Sequence, residues 1–363
     1  MGNSLGKAFT ITSFGESHGR CIGVVVDGCP AGLAVSKKDI QRDLDRRKPG
    51  TGEKKKKRVE EDRVEILSGI MDETATGAPI CMAVWNTDVE SREYERKRFM
   101  PRPGQADYTA FVKYGGFNDF RGGGRFSGRT TASLVMGGAV ARRAIAYLGI
   151  EVMAHTVQIG TVRAKPVEFD RVREVVPNNS LGCADEEAHS RMVRAIEMAR
   201  EEGDSLGGVI EGMALNVPAG LGEPVFDTLD GELARAIMAI PAVKGVEFGA
   251  GFSAAAMKGS ENNDPFTIRD GKIVTTTNNS GGILGGISNG MPVVIRAVIK
   301  PTPSLGKRQT TVNMRDMTAG SLTVRGRHDA CIVPRAVVVV ESMMAVAICD
   351  LAIRAGMIPE VIR

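Results

Sequence analysis

Arg121-Gly122-Gly123-Gly124-Arg125-Phe126-Ser127-Gly128-Arg129 runs directly into a segment at 130–148 that is rich in Ala, Gly and Val and stops at Gly149. That composition predicts a helix buried on nearly all sides. Three successive glycines free backbone N–H groups to line a concavity, because no Cβ blocks close approach. Arg121, Arg125 and Arg129 add planar, permanently charged forks suited to phosphate and carboxylate. The positive end of the helix dipole points at the same spot. Loop, arginines and helix together read as an anion site at the entry to a buried helix.

Outward from this junction, β-type runs lie at 9–13, 21–27, 64–70, 80–86, 151–159, 209–217 and 293–300. Further helical patterns start at Ser36 and end before Pro49, span 185–202, follow Asp227 as far as Pro241, and run from 336 to 355 with Gly356 beyond. The strands come in groups and adjacent pairs joined by short Gly-rich turns, not in strict β-α-β alternation. The pattern predicts an α+β fold. No Pro/Ser-rich linker interrupts the 363 residues, so one large domain over 1–363 is expected. Within it, 48–61 carries Lys54-Lys-Lys-Lys-Arg58 between acidic residues and reads as a charged exposed loop.

Composition narrows the function. Forty-seven basic against 43 acidic residues leave a charge of only +4, too little to imply a nucleic-acid partner. The 44 glycines cluster in loops instead of repeating, as expected of backbone-lined ligand sites. None of the six cysteines forms a C-x-x-C pair and the four histidines share no ligand spacing, so no metal site is expected. Free thiols fit a reducing cytoplasm. The N-terminal residues lack the apolar core of a signal peptide, and the best apolar run, 336–349, is broken by Glu341. A cytoplasmic protein without a membrane partner is the expectation.

Arginine recurs beside glycine or proline in Arg46-Arg47-Lys48-Pro49-Gly50, in Arg102-Pro103-Gly104 and in Arg325-Gly326-Arg327-His328-Asp329, with Arg335 six residues on. Together with the opening loop these are what a small ligand with several negative groups needs. Two Gly- or Pro-rich turns, 280–290 and Lys300-Pro301-Thr302-Pro303-Ser304, suit a flat aromatic cofactor with a phosphate tail. No G-x-G-x-x-G follows a strand, and no Gly-Lys pair precedes Ser or Thr, which excludes Rossmann and P-loop sites. Gly15-Glu-Ser-His-Gly19 and Gly286-Ile-Ser-Asn-Gly290 match the serine-hydrolase elbow in letters. Both lead into β-type runs instead of helices, so the hydrolase geometry fails. His155, in a β-type run, and His189, on a polar helix face, read as structural or solvated; Trp85 and Met343-Met344 read as core.

These segments taken together resemble the chorismate synthase family over nearly the whole chain. The resemblance rests on Gly15-Glu-Ser-His-Gly-Arg-Cys-Ile-Gly-Val-Val-Val-Asp-Gly-Cys-Pro30, on Gly124-Arg-Phe-Ser-Gly-Arg-Thr-Thr-Ala132, and on Gly326-Arg-His-Asp-Ala-Cys331 through Glu341. It implies a layer of helices between antiparallel sheets, usually in homotetramers. It also implies 1,4-anti elimination of phosphate from 5-enolpyruvylshikimate 3-phosphate, a substrate with one phosphate and two carboxylates, in the presence of reduced FMN. NADPH enters only if the chain reduces its own flavin. The resemblance makes His18 the general acid toward the leaving phosphate, with Ser17 beside it. Arg47, Arg102, Arg129 and Arg327 would hold the anionic groups, with Arg335 nearby. Asp329 would accept a hydrogen bond or proton near the flavin. Arg125, Phe126, Ser127, Ala242, Gly285, Lys300, Pro301, Thr302, Pro303, Ser304 and Arg327 would line the FMN. Four positions depart from the family pattern. Gln105 stands where the family has His, Glu53 where it tends to have Arg, and Phe126-Ser-Gly and Ala330 alter two signatures. An amide hydrogen-bonds a flavin carbonyl but delivers no proton. A diverged FMN-binding paralogue with low or altered activity is therefore the alternative reading.

Overall fold

The computed structural model describes residues 2–48, 62–87, 91–324 and 329–363. Its first sheet contains β1 (Ser4–Leu5), β2 (Thr10–Gly15), β3 (Cys21–Asp27), β4 (Val64–Ser68) and β5 (Ile80–Trp85), in the order β1-β2-β3-β5-β4. The second contains β6 (Glu151–Ile159), β7 (Val162–Arg163), β8 (Gly208–Leu215), β9 (Val243–Phe248) and β10 (Val293–Ile299), in the order β9-β10-β8-β6-β7. Every pairing in both sheets is antiparallel.

The helices are α1 (Lys37–Arg46), α2 (Arg92–Arg96), α3 (Asp107–Lys113), α4 (Thr131–Ala146), α5 (Phe169–Val175), α6 (Glu186–Glu201), α7 (Leu229–Met238), α8 (Gly259–Asn262) and α9 (Val333–Arg354). Local chemistry sets several starts. Ser36 and Asp39 form a reciprocal capping box on α1, and the Asp185 carboxylate accepts from the N–H groups of Glu187 and Ala188 on α6.

Helices α4 and α9 lie between the sheets. At Gly137 of α4, an added Cβ would stand 2.9 Å from Ile11 of β2; at Gly138, on the next face, it would stand 2.2 Å from the Ser342 Cβ of α9. Helix α9 in turn reaches the second sheet, where the Ala154 N–H of β6 donates to Glu341 at 3.1 Å. One hydrophobic cluster therefore runs through Phe9, Val24, Met136, Val340, Met344 and Ile295, and the expected layer of helices between antiparallel sheets is present.

Three expectations need correction, and one strand was missed. The run at 64–70 breaks at Gly69 (φ +82°) into Val64–Ser68 and Ile70–Met71. Trp85, at the end of its strand, is 46% exposed instead of core. The strand Val243–Phe248 was not legible, because Lys244, Gly245 and Glu247 obscure its alternation. The run at 336–349 belongs to α9, which is long and apolar enough to cross a membrane, yet 89% of its most apolar window is buried among the other elements. Glu341 does not break it: the carboxylate is 2% exposed and paired to Arg46 at 2.5 Å and Arg142 at 3.2 Å, as a buried charge must be.

Candidate active site

The glycine loop enters α4 through two tight turns, and Gly122, Gly123 and Gly124 all take left-handed conformations (φ +59°, +82° and +52°). At Gly122 the space is occupied as well. An added Cβ would lie 2.3 Å from Cδ2 and 2.5 Å from Nε2 of His18, and 2.9 Å from Oγ of Ser17. The bare backbone is thus the surface against which Ser17 and His18 pack. The Ser17 N–H donates to the Gly124 carbonyl at 3.2 Å. Nδ1 of His18 lies 2.9 Å from Oγ of Ser91, and the Tyr94 ring stands edge-on to the imidazole at 5.2 Å.

Arginines from four parts of the chain converge here, each aimed by a carboxylate. Asp62 takes Nη2 of Arg47 on one oxygen and Nη1 of Arg129 on the other. Nε of Arg129 donates to the Asn86 carbonyl oxygen at 3.0 Å. The Asn86 amide nitrogen donates to the Glu16 and Gly19 carbonyls at 3.1 and 2.8 Å. One side chain therefore ties the Ser17-His18 loop to Arg129. Arg335 donates to the Arg47 carbonyl at 3.1 Å and to Asp329 at 2.5 Å. Arg102 is forked onto Asp107 by two 2.8 Å bonds and stacks 5.4 Å from the Tyr94 ring. An added Cβ at Gly123 would be 3.5 Å from its Nη2. Arg121 is forked onto Asp119 in the same way.

Arg47, Arg102, Arg121, Arg129 and Arg335 outnumber Asp62, Asp107, Asp119 and Asp329. Burial and the neighbouring Arg335 push the Arg47 guanidinium down to about 10 against the pull of Asp62, so it stays cationic at neutral pH. Burial raises the Asp62 carboxyl, but Arg47 and Arg129 outweigh it and hold the group below its ordinary value. The result is a pre-aimed, arginine-lined cleft for an anion.

Two of the residues expected at a flavin reach the Arg102-Pro103-Gly104 loop: an added Cβ at Gly104 would lie 3.0 Å from Pro303 and 3.9 Å from Nζ of Lys300. The Lys300 N–H donates to the carbonyl of Ala242, a left-handed residue (φ +74°), and its ammonium donates to the Gly104 carbonyl at 2.5 Å. Burial, then Lys244, lowers the Lys300 ammonium. Oγ1 of Thr302 is buried without a hydrogen-bond partner among the described residues. Two lysines and an unclaimed hydroxyl fit a phosphate-bearing cofactor.

The structure thus brings together Ser17, His18, Arg47, Arg102, Gln105, Arg129, Asp329 and Arg335, with Ala242 and the Lys300–Ser304 turn alongside. Gln105 closes the Arg102 turn, its N–H donating to the Arg102 carbonyl at 3.1 Å. Ser127 caps the second tight turn, accepting from the Arg129 N–H at 3.3 Å. Arg125 is half-buried and Phe126 is exposed, its ring 6.4 Å from Tyr114. Gly285 lies in an exposed turn between Ile283–Leu284 and Ile287–Ser288 with nothing within 4 Å of an added Cβ. Arg327, Glu53 and the Lys54–Arg58 run lie outside the described residues. The reading from residues alone missed Asp62, Asn86, Ser91, Tyr94, Asp107 and Asp119. Asp107 and Asp119 lie within five positions of the arginines they hold, a local signal; Asp62 and Asn86 carry none.

A sequence model of the family described as chorismate synthase matches residues 9–353. A chorismate synthase of Dehalococcoides mccartyi is 59% identical over 100% of both chains. One of Korarchaeum cryptofilum is 54% identical over 96% of this chain and 97% of its own. A solved crystal structure of a chorismate synthase superposes with a TM-score of 0.77 at 31% identity, covering 96% of this chain and 93% of that one.

Proposed function

The chain belongs to the chorismate synthase family, and from that premise we propose that the cleft binds 5-enolpyruvylshikimate 3-phosphate and eliminates its phosphate to give chorismate, a carbon–oxygen lyase reaction. The observation that carries this is the convergence of Arg47, Arg102, Arg129 and Arg335 on the Ser17-His18 loop, because the substrate carries three anionic groups. Carboxylate-held guanidiniums need little reorganisation when phosphate departs. His18 offers Nε2 on the side of the glycine loop and protonates the leaving phosphate, with Ser17 beside it. Burial of Arg47 and Arg129 keeps water from competing for the anion.

Reduced FMN, when bound, supplies electron density for breaking the C–O bond. Lys300, Thr302, Ser304, Ala242, Arg125, Phe126 and Ser127 would hold it, with Gly285 and Arg327 completing the set that the family resemblance implies. Asp329 would accept a hydrogen bond at the cofactor, oriented by Arg335. Gln105 donates or accepts a hydrogen bond there but supplies no proton. One domain, a homotetramer, a cytoplasmic setting, and NADPH only if the chain reduces its own flavin complete the proposal.

The test is anaerobic: purified protein, dithionite-reduced FMN and substrate, with chorismate absorbance and free phosphate followed together. Equal appearance of both products is expected. Gln105 favours one second reading, a paralogue that binds both ligands and turns over slowly. Binding of both without product would support it, and recovery of turnover in Gln105→His would locate the defect.

A further inference from the structure

Ser91 occupies the N-cap of α2, yet its side chain makes no capping hydrogen bond. Serine is favoured at that position because its Oγ accepts from the first helical N–H groups. Here Oγ is turned away and lies 2.9 Å from Nδ1 of His18. Three residues on, the Tyr94 ring meets the imidazole edge-on, at 82°. On the far side stands Gly122, whose missing Cβ would fall 2.5 Å from Nε2. The ring is held on three sides, with Nδ1 engaged and Nε2 turned to the glycine loop.

We propose that Ser91 is a positioning residue for proton transfer by His18, accepting the Nδ1–H so that the transferable proton sits on Nε2. This rests on the reading of His18 as general acid. An imidazolium donates from both nitrogens, so the hydroxyl opposite Nδ1 must accept. When the Nε2 proton leaves, the Nδ1–H to Oγ bond persists and fixes one tautomer of the neutral ring. Without the hydroxyl, the proton distributes over both nitrogens and part of the enzyme presents the wrong one.

Among the described residues, the charged and titratable groups around the ring come from several neighbouring elements. Asp119 is held below its ordinary value, with burial opposing, by Arg121 and in part by His18. Glu16 is on the same loop as His18; Tyr94 and Glu95 come from α2, and Arg102 stands beyond Tyr94. All of them remain in a Ser91 variant, so a change isolates the hydroxyl.

The experiment compares Ser91→Ala and Ser91→Thr as full-length enzyme with reduced FMN, measuring kcat and KM across pH 5–9. Ser91→Ala should lower kcat about tenfold or more with KM within about twofold, as expected when a catalytic group loses its orientation. The limb that requires protonated His18 should move to lower pH, because the imidazolium has lost an acceptor. Ser91→Thr should restore both. Nitrogen-15 NMR of histidine-labelled protein, practical with four histidines, should show one neutral tautomer at His18 in the parent and a mixture in Ser91→Ala. An unchanged pH profile and tautomer signature, or a raised KM at constant kcat, would overturn the proposal. His18→Asn is the separate control: full turnover in that variant removes the general-acid reading while leaving the tautomer result standing.

Discussion

Replacing Gly122 by alanine should disable proton transfer while leaving the fold in place. The added Cβ would stand 2.3 Å from the His18 ring, more than 1 Å inside the 3.4 Å at which ordinary contact begins. The glycine backbone belongs to the tight turn and Ser17 is hydrogen-bonded to Gly124, so the imidazole is the group that yields. Moving away breaks its bond to Ser91 and its contact with Tyr94. A displacement of about 1 Å in a catalytic group costs on the order of 100-fold in rate, or about 2.7 kcal/mol of barrier. The left-handed conformation adds about 1–2 kcal/mol against folding, which a domain with roughly 5–15 kcal/mol of stability tolerates. The assay is anaerobic kcat for phosphate release, with thermal unfolding measured in parallel. Gly128→Ala, in the same loop with nothing within 4 Å of the new carbon, should behave as the parent. A folded Gly122→Ala enzyme retaining kcat within threefold would refute the placement of His18 against this glycine.

Asp62→Asn should cost about 3–5 kcal/mol in urea unfolding, because Arg47 and Arg129, 3% and 9% exposed, lose the carboxylate between them. Since the Asp62 carboxyl is held below its ordinary value, its contribution is complete above the unfolded value of about 3.9 and is lost as pH falls through the lower folded value. The variant should lack that acid-limb loss. Gly138→Ala should lower Tm, because the new carbon meets Ser342 Cα at 2.5 Å and forces α4 from α9 at about 1–3 kcal/mol, while kcat below the transition stays unchanged. Gln105→His should raise kcat severalfold and introduce a new ionisation into its pH profile.

Elements with strong local chemistry were legible. The start at Ser36, the apolar face of 185–202 and the apolar segment before Gly149 each announce a helix that the structure contains. Helix α9 starts at Val333, earlier than its apolar run indicates, because Pro334 fits the first turn, where no N–H is required. The arginines were legible as a group because glycine and proline mark their loops. Their geometry was not: Arg47 and Arg129 are 82 positions apart in sequence, and only the folded chain shows that one aspartate serves both. Asn86 has an ordinary neighbourhood and joins the histidine loop to Arg129 through contacts 43 and about 70 positions away. Periodicity reports a residue's own element, and these partners belong to others.

Helix α9 also sets an order of events in biosynthesis. It is the last helix in chain order among the described residues, and α4, the first sheet's main cover, precedes it by the stretch from Ala146 to Val333. At about 5–20 residues per second, the ribosome takes on the order of 10–40 s to bridge that gap. Through that interval the Gly138 face of α4 lacks its partner Ser342, and the second sheet gains its inner strand β10 (Val293–Ile299) only near the end, still without α9 on its inner face. The anion cleft is equally incomplete, since Asp329 and Arg335 emerge with α9. The nascent chain therefore acquires its ligand site and its interior in the same late step, and a chaperone that shields apolar surface has its work before that step.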